Sequence, residues 1–232
     1  MTFIEFNGLP GCGKSTIVNQ LSAELKAKGI KVLLLEDVVF FKKRSTENKK
    51  LQLVSAFFAP SCFKLNFFAL KIAIESGISI ERMRYAMRLI KLNYQVKRIL
   101  NKKNGEILLL DEGFIQFITS IPHDKRFVKE SSVKEICQCI MDQYPGIQIV
   151  NCSLPIETTI DRSKNRQSSI SRFDNLESEE LRTQLCTKLD NIQLIQRFMP
   201  RKSQFEVNLA ENIEENIARL KVYVEESIKI II

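Results

Sequence analysis

A nine-residue segment near the start of the chain constrains the fold more than any other feature. Residues 8–16 read Gly-Leu-Pro-Gly-Cys-Gly-Lys-Ser-Thr and fit the pattern G-x-x-x-x-G-K-[ST]. The apolar segment Thr2–Phe6 precedes it and predicts a strand. Apolar side chains then recur at helical spacing at Ile17, Leu21 and Leu25. A strand, a glycine-rich turn and a helix in this order are the context that the motif requires.

The residue types of this loop suit the triphosphate of a nucleotide. Glycines let the backbone adopt conformations closed to other residues and turn several N–H groups inward. The helix that follows adds its positive N-terminal end, Lys14 can reach the β- and γ-phosphates, and the Ser15 hydroxyl can bind Mg²⁺. The predicted nucleotide-binding residues of the loop are Gly8, Pro10, Gly11, Cys12, Gly13, Lys14, Ser15 and Thr16.

Four more strand-like segments follow, separated by helical patterns. Buried strands that alternate with helices indicate a parallel sheet covered on both faces, because each crossover places a helix over the sheet. We therefore predict an α/β fold. The further strands are predicted at Lys31–Leu35, Ile107–Leu110, Ile147–Cys152 and Gln204–Asn208. A last helix should dock on the sheet through Ile213, Ile217, Leu220, Val224 and Ile228.

The gap of about 70 residues between the second and third strands exceeds what one crossover needs. We predict a helical insertion over about 40–103 that binds the acceptor. This segment holds 15 Lys or Arg against three Glu, whereas the whole chain has a net charge of +8. Such a block attracts phosphates, nucleic acid or anionic lipid headgroups, and a solvated helix face is the alternative.

Within the insertion, Ile78–Leu100 predicts an amphipathic basic helix. Its apolar stripe is predicted to be Ile80, Met83, Met87, Ile90, Tyr94 and Val96. A group of phenylalanines precedes it: Phe57, Phe58, Phe63, Phe67 and Phe68. We favour a packed helical subcore for these rings over a ligand-binding box, and contact with a membrane surface is the alternative.

The composition is that of one ordinary globular domain. The chain has 232 residues, 44% apolar and 27% charged, which excludes a disordered chain, a fibrous repeat and a coiled coil. We predict one domain over 1–232. The longest uncharged apolar stretch, Leu51–Phe63, is too short to span a bilayer. Because the N-terminus lacks the basic region of a signal peptide, we expect a cytoplasmic protein.

The six cysteines are expected to be reduced, small core residues. No two of them form a C-x-x-C pair, and His123 is the only histidine, so the chain offers few ligands for zinc. Cys137 and Cys139 are two apart on a helical segment, a spacing that points their thiols in different directions. We favour a structural role for this pair over redox chemistry.

Acidic residues follow two of the predicted strands. Asp111, Glu112 and Gly113 come after the third strand, at the edge where open α/β sheets bind ligands. Asp111 suits Mg²⁺ binding, with capping of the next turn as the alternative, and Glu112 suits the role of a base or a water-orienting group. Asp37 follows the second strand at the same edge. It competes with Glu112 for the role of base.

Arginines after the fourth strand can meet a transferred phosphoryl group. Arg162 and Arg166 are four apart, on one face of a predicted helix. Guanidinium groups stay charged, stack on bases and donate in bidentate fashion to phosphoryl oxygens. The polar residues 167–175 break the helical periodicity, so we predict a lid over about 162–176 that excludes water. A solvated helix with scattered ion pairs is the alternative.

These motifs resemble those of the nucleoside and nucleotide kinase group of P-loop proteins, with thymidylate-kinase-like members nearest. The resemblance implies a three-layer fold with a five-stranded parallel sheet in the order 2-3-1-4-5. It also implies ATP and Mg²⁺ as cofactors and phosphoryl transfer to a small acceptor. Lys14 and Ser15 match the phosphate and magnesium positions of that group. Arg162 resembles the arginine that stacks on adenine, and Arg166 the one that neutralises the transferring phosphate.

The acceptor side departs from that family pattern. Members with a nucleotide acceptor commonly show Asp-Arg after the third strand, where this chain has Asp111 and Glu112. Asn7 stands where thymidylate kinases often have an acid. A carboxylate in place of an arginine would repel an acceptor phosphate, which argues against thymidine monophosphate as the acceptor.

We therefore predict an ATP-dependent kinase of a nucleoside, a nucleotide or a phosphorylated sugar. The predicted catalytic residues are Lys14, Arg162, Arg166, Glu112 and Asp37, and the predicted metal ligands are Ser15 and Asp111. The rival is a P-loop ATPase or nucleotide-dependent regulatory protein whose basic insertion binds nucleic acid or a protein partner. A third interpretation keeps the nucleotide as a ligand only. No second nucleic-acid motif is present, and a homodimer and weak membrane-surface contact stay open.

Overall fold

The fold is a five-stranded parallel sheet between two layers of helices. The computed structural model describes residues 2–34, 56–100, 107–165, 173 and 176–229. The strands are β1 (Thr2–Gly8), β2 (Val32–Leu34), β3 (Ile107–Leu110), β4 (Ile147–Ser153) and β5 (Gln204–Asn208). Their order is β2-β3-β1-β4-β5, and all neighbours are parallel. The predicted α/β class and strand order are confirmed.

The central strand β1 is buried along its whole length. It pairs with β3 from Thr2 opposite Ile107, and with β4 as far as Gly8 opposite Cys152. This second pairing extends β1 two residues beyond the predicted end, because Asn7 and Gly8 also take part in it. The carboxyl ends of all five strands therefore meet at one edge of the sheet, which carries the glycine loop.

The helices that surround the sheet include eight whose bounds the described residues give. They are α1 (Lys14–Ala27), α2 (Phe63–Glu75), α3 (Ile80–Leu100), α4 (Phe114–Ile118), α5 (Glu130–Gln143), α6 (Ile156–Lys164), α7 (Ser178–Phe198) and α8 (Ile213–Lys229). Short 3₁₀ turns precede α2 at Pro60–Cys62 and β5 at Arg201–Ser203. Helix α1 ends where Gly29 adopts a φ of 78° and donates its N–H to the Lys26 carbonyl at 2.9 Å.

Alternate residues of β1 supply the two halves of the core. Ile4 and Phe6 face α1 and α8, where they pack with Leu21 and Leu220. Phe3 faces the opposite layer, which contains α2, α3 and α5. The predicted docking of the last helix is confirmed for three of its apolar residues, which are buried: Ile217, Leu220 and Val224. Ile213 is half-buried, and the side chain of Ile228 lies outside the described residues.

The insertion contains the consecutive helices α2 and α3, and α2 packs against both α3 and α5. Ile90 and Val96 of the predicted α3 stripe are buried, and Met83, Met87 and Tyr94 are half-buried. The prediction for Ile80 is wrong, because this side chain is 74% exposed. Ile80 lies one helical turn from Arg84, on the exposed face, whereas the buried face carries Ala86.

The predicted phenylalanine subcore is correct for two of the five rings. Phe57 and Phe68 pack against the main core, whereas the rings of Phe58, Phe63 and Phe67 are 70%, 62% and 56% exposed. For α2, the buried face carries Leu65, Ala69, Ile72 and their neighbours instead. Two rings on another face of the same helix therefore point away from the core.

Five of the six cysteines are buried as expected, but Cys186 is exposed on α7, so its assignment to the core is wrong. Burial raises the pKa of the Cys137 thiol to about 12 and also raises that of Cys139. Neither thiol of this pair is suited to thiolate chemistry. None of the helices in the described ranges has the length and apolar content needed to cross a membrane.

Candidate functional site

The glycine loop adopts the compact turn that its sequence predicts. Gly11 and Gly13 have φ angles of 87° and 110°, which side chains disfavour. A Cβ atom on Gly11 would lie 2.7 Å from the Ser163 hydroxyl of α6, so the loop also needs a glycine here for space. The loop therefore lies between β1 and α6, in a conformation that requires glycine at positions 11 and 13.

Helix α1 begins directly at the end of this loop, with Gly13 as its left-handed N-cap residue. No side chain caps the helix, and the first N–H groups of a helix have no partner within it. These amides and the positive end of the helix are directed at the loop, which is the arrangement that binds phosphate in proteins. The loop thus fits a polyphosphate.

The ammonium group of Lys14 is held inside the loop. It donates hydrogen bonds to the carbonyl oxygens of Gly8 and Leu9, each at 2.9 Å, and lies 3.9 Å from the Cys12 sulfur. The residue is only 8% exposed. A fixed positive charge therefore lies beside the loop amides, where a triphosphate would be bound.

Ser15 and Asp111 meet at the carboxyl edge of the sheet. The Ser15 hydroxyl donates to Asp111 Oδ2 at 3.0 Å, across 96 positions of the sequence. These oxygens are hard ligands of the kind that Mg²⁺ prefers, and a bound Mg²⁺ takes its other ligands from water and phosphate. Within the described ranges, no three His, Cys, Asp or Glu side chains converge on a metal site. The Ser15 and Asp111 oxygens fit a magnesium ion.

The structure describes only one of the two candidate bases. Glu112 is exposed at the same edge, next to Asp111. Asp37 lies outside the described residues, and so does the start of the insertion. The choice between them stays a prediction.

Arg162 lies directly over the glycine loop. Its Nη1 donates to the Cys12 carbonyl at 3.0 Å, and a Cβ atom on Gly13 would lie 3.5 Å from the same nitrogen. Helix α6 ends at Lys164, so of the predicted pair only Arg162 belongs to the helix as described. Arg166 and most of the predicted lid over 162–176 lie outside the described residues.

One residue that sequence reasoning missed lies immediately behind the acidic turn. Glu5 of β1 is fully buried, and its carboxylate accepts hydrogen bonds from the N–H groups of Phe114, Ile115 and Gln116 at 2.9, 2.6 and 3.3 Å. Burial raises the pKa of Glu5 to about 8, although the three N–H groups act to lower it. A lone acid in a strand predicted to be central was the available signal, because both faces of such a strand are covered.

Glu5 also explains the glycine that follows the two acids. A Cβ atom on Gly113 would lie 2.3 Å from the Glu5 carboxyl carbon. The backbone of the turn therefore closes onto the buried carboxylate, and α4 begins there. Glu5 thereby fixes the turn that carries Asp111 and Glu112.

A second missed feature is a row of polar side chains across the sheet. Asn7 is fully buried and donates to Asn151 Oδ1 at 3.4 Å. Asn151 donates in turn to Gln204 at 3.0 Å and to Glu206 at 2.7 Å. In the part of the chain that the structure describes, the Asn7 Oδ1 atom has no hydrogen-bond partner. The uncharged amide of Asn7 therefore stands at the position where thymidylate kinases often have an acid.

No protein-family model and no curated protein sequence matches this chain. Solved structures do match it. Shikimate kinase from Bacteroides thetaiotaomicron matches with a TM-score of 0.53 and 14% identity, over 97% of this chain and 98% of that chain. A structure of deoxyadenosine kinase from M. mycoides with bound dATP matches with a TM-score of 0.49 and 15% identity, over 97% and 100%. The match to shikimate kinase shows that the chain has a fold of the P-loop kinase type, which confirms the predicted resemblance at the level of the fold.

Proposed function

We propose that this protein transfers the γ-phosphoryl group of ATP to a small-molecule acceptor in the presence of Mg²⁺. The contact of 3.0 Å between the Ser15 hydroxyl and Asp111 carries the proposal. It joins the end of the glycine loop to the acid after β3, which are the two protein groups that hold Mg²⁺ in P-loop enzymes. When bound, the ion neutralises charge that develops on the phosphates during transfer.

Further residues are assigned to the phosphates and to the acceptor. Lys14 and the amides at the start of α1 hold the β- and γ-phosphates. Arg162 lies within hydrogen-bonding distance of the loop backbone, so its guanidinium group can stabilise the charge of the transferring group or stack on the adenine. Arg166 shares this work, and Glu112 or Asp37 accepts the proton of the acceptor hydroxyl.

The acceptor is a nucleoside, a nucleotide or a phosphorylated sugar, held between the acidic edge and the helical insertion. The exposed carboxylate of Glu112 favours an acceptor that offers hydroxyl groups at this edge. Thymidine monophosphate is disfavoured for the reason given above.

The test is ADP release from ATP and Mg²⁺ with and without a panel of nucleosides, nucleotides, sugar phosphates and shikimate. Release that depends on one acceptor, with the phosphorylated product found by mass spectrometry, supports the proposal. Release that no acceptor stimulates favours the rival ATPase, whose basic insertion would bind another macromolecule. Tight ATP binding without release would leave the nucleotide as a ligand only, and either result contradicts the proposed kinase.

A substitution tests the magnesium assignment separately. We expect Asp111→Asn to lower turnover by at least about a hundredfold, because the acid can no longer hold the ion at Ser15. Nucleotide affinity measured by calorimetry should fall in the presence of Mg²⁺ and change little in EDTA. Glu214→Gln, an exposed acid on α8, serves as the matched control. An equal loss of affinity in EDTA would contradict the assignment of Asp111 as a metal ligand.

A further inference from the structure

The turn that carries Asp111 and Glu112 is attached at both ends to one residue of the central strand. Leu110, which precedes the turn, lies opposite Glu5 in the register of β1 and β3. The Glu5 carboxyl group accepts hydrogen bonds at 2.9, 2.6 and 3.3 Å from the N–H groups of the three residues that follow the turn, Phe114, Ile115 and Gln116. Only residues 111–113 lie between the two attachments. The positions of both acids are therefore set by Glu5.

A buried lysine of α7 holds the other end of the short helix α4, which follows the turn. Lys188 is only 2% exposed. Its Nζ atom donates hydrogen bonds to the Gln116 carbonyl oxygen at 3.2 Å and to the Ser120 hydroxyl oxygen at 2.7 Å. The first N–H groups and the last carbonyl groups of a helix have no partners within it. Glu5 and Lys188 supply such partners at opposite ends of α4.

Packing alone does not account for these two buried residues. Lysine and glutamate are almost never fully buried unless they are paired, and apolar residues in their places would avoid the cost of taking polar groups out of water. The fully buried side chains of Phe114, Ile115 and Ile118 already hold α4 to the core. Apolar contacts have no direction, whereas hydrogen bonds require defined distances and angles. Glu5 and Lys188 therefore fix where α4 starts and ends.

Helix α7, which carries Lys188, also contacts the other parts of the candidate site. Leu9 of the glycine loop belongs to one hydrophobic cluster with Leu181 of α7. Nη2 of Arg182, also on α7, donates to Glu157 Oε2 of α6 at 2.6 Å. Helix α6 in turn carries Arg162 over the loop. The same helix thus contacts the loop, the arginine-bearing helix and the helix that follows the acidic turn.

We propose that Glu5 and Lys188 are positioning residues for phosphoryl transfer, an inference that rests on the proposed kinase function. Together they hold α4 so that Asp111 meets Ser15 and Glu112 faces the acceptor. Glu5 acts through the backbone of the acidic turn, and Lys188 acts through the end of α4. The contact of 3.0 Å between the Ser15 hydroxyl and Asp111 depends on this placement. A displacement of about 1 Å in a site of this kind can lower the rate by about a hundredfold.

Steady-state kinetics of the two positions test the proposal, with ADP release measured from ATP, Mg²⁺ and the acceptor of the panel that the unmodified chain uses. We expect Glu5→Ala and Lys188→Met each to lower kcat by about 10- to 100-fold. The KM for ATP should change by less than about threefold, because Lys14 keeps its contacts in the loop. Glu5→Gln keeps one accepting oxygen and should have an intermediate kcat. An unchanged kcat, or a loss confined to the KM for ATP, would overturn the proposal.

Asn191→Ala is the matched control for a loss of stability. Asn191 lies three residues after Lys188 on α7 and is likewise 2% exposed. Its side chain binds the backbone of Lys125 and Phe127 instead of α4. The control should lower the temperature of thermal unfolding and leave kcat unchanged, in assays run where every variant is folded. A kcat that falls in step with stability in all the variants, Asn191→Ala included, would show that Glu5 and Lys188 are only structural.

Amide hydrogen exchange of the full chain tests the positioning without turnover. In Glu5→Ala and Lys188→Met, residues 111–121 should exchange at least about tenfold faster than in the unmodified chain, whereas residues 8–16 should keep their rates. Unchanged exchange over 111–121 would overturn the proposal, as would the same acceleration in Asn191→Ala. If the unmodified chain phosphorylates no acceptor, the proposed kinase fails by itself. The exchange rates then decide whether Glu5 and Lys188 hold the acidic turn.

Discussion

At the scale of single residues, Glu5 makes the stability of the fold depend on pH. Its pKa rises from 4.5 to about 8 on folding, because burial disfavours the charged carboxylate more than the three N–H groups favour it. The native state therefore binds a proton more tightly than the unfolded chain. The resulting contribution to stability is complete below pH 4.5 and is lost as the pH rises through about 8.

Replacing this carboxyl group tests the sign of that dependence. We expect the free energy of unfolding of the unmodified chain, relative to Glu5→Gln, to fall between pH 4.5 and about 8. Denaturant titrations of both proteins across this range measure it. Parallel pH profiles for the two proteins would show that Glu5 does not titrate in this window.

The requirement for glycine at position 113 arises from the same carboxyl group, and a double-mutant cycle can measure this coupling. Gly113→Ala should destabilise the protein by about 1–3 kcal/mol, because the new Cβ atom would lie 2.3 Å from the Glu5 carboxyl carbon. In a Glu5→Ala background the same substitution should cost clearly less, since the clashing group is absent. If the two losses of stability simply add in the double variant, the Glu5 carboxyl group is not the reason for glycine at position 113.

At the scale of elements, the segments best predicted from sequence are those set by local rules. The loop and α1 begin where the motif places them, and β3 and β5 have the predicted ends, because apolar runs bounded by turn residues define them. Helix α2 shows the limit of such rules. Its apolar residues cover two faces, and the spacing alone does not say which face meets α3 and α5.

Helix α8 allows the energy of element packing to be measured. Leu220 is fully buried between α8 and the sheet, so Leu220→Ala should destabilise the fold by about 2–5 kcal/mol. Val222 lies two residues away and is 57% exposed. Val222→Ala should therefore change the free energy of unfolding by less than about 0.5 kcal/mol. Chemical denaturation of the two variants measures both losses of stability. Equal losses would contradict the docking of α8 through its buried residues.

At the scale of the whole molecule, the candidate site is assembled from distant parts of the chain. Ser15 and Asp111 were each assigned from their own motif, and the parallel sheet brings them together because β1 and β3 are neighbours. The same topology places Arg162 over the loop. Asp37 and Arg166 lie outside the described residues, and their roles stay predictions.

By itself, the sequence determined the phosphate loop, the strand order and the acids at the edge of the sheet. Each of these depends on residue types at fixed short spacings, or on a family resemblance that such motifs carry. Only the tertiary structure decided that Glu5 is buried against the start of α4, since nothing in the neighbouring sequence predicts its burial. It also decided which faces of α2 and α3 stay exposed. These outcomes depend on contacts between residues far apart in the chain, which periodicity does not encode.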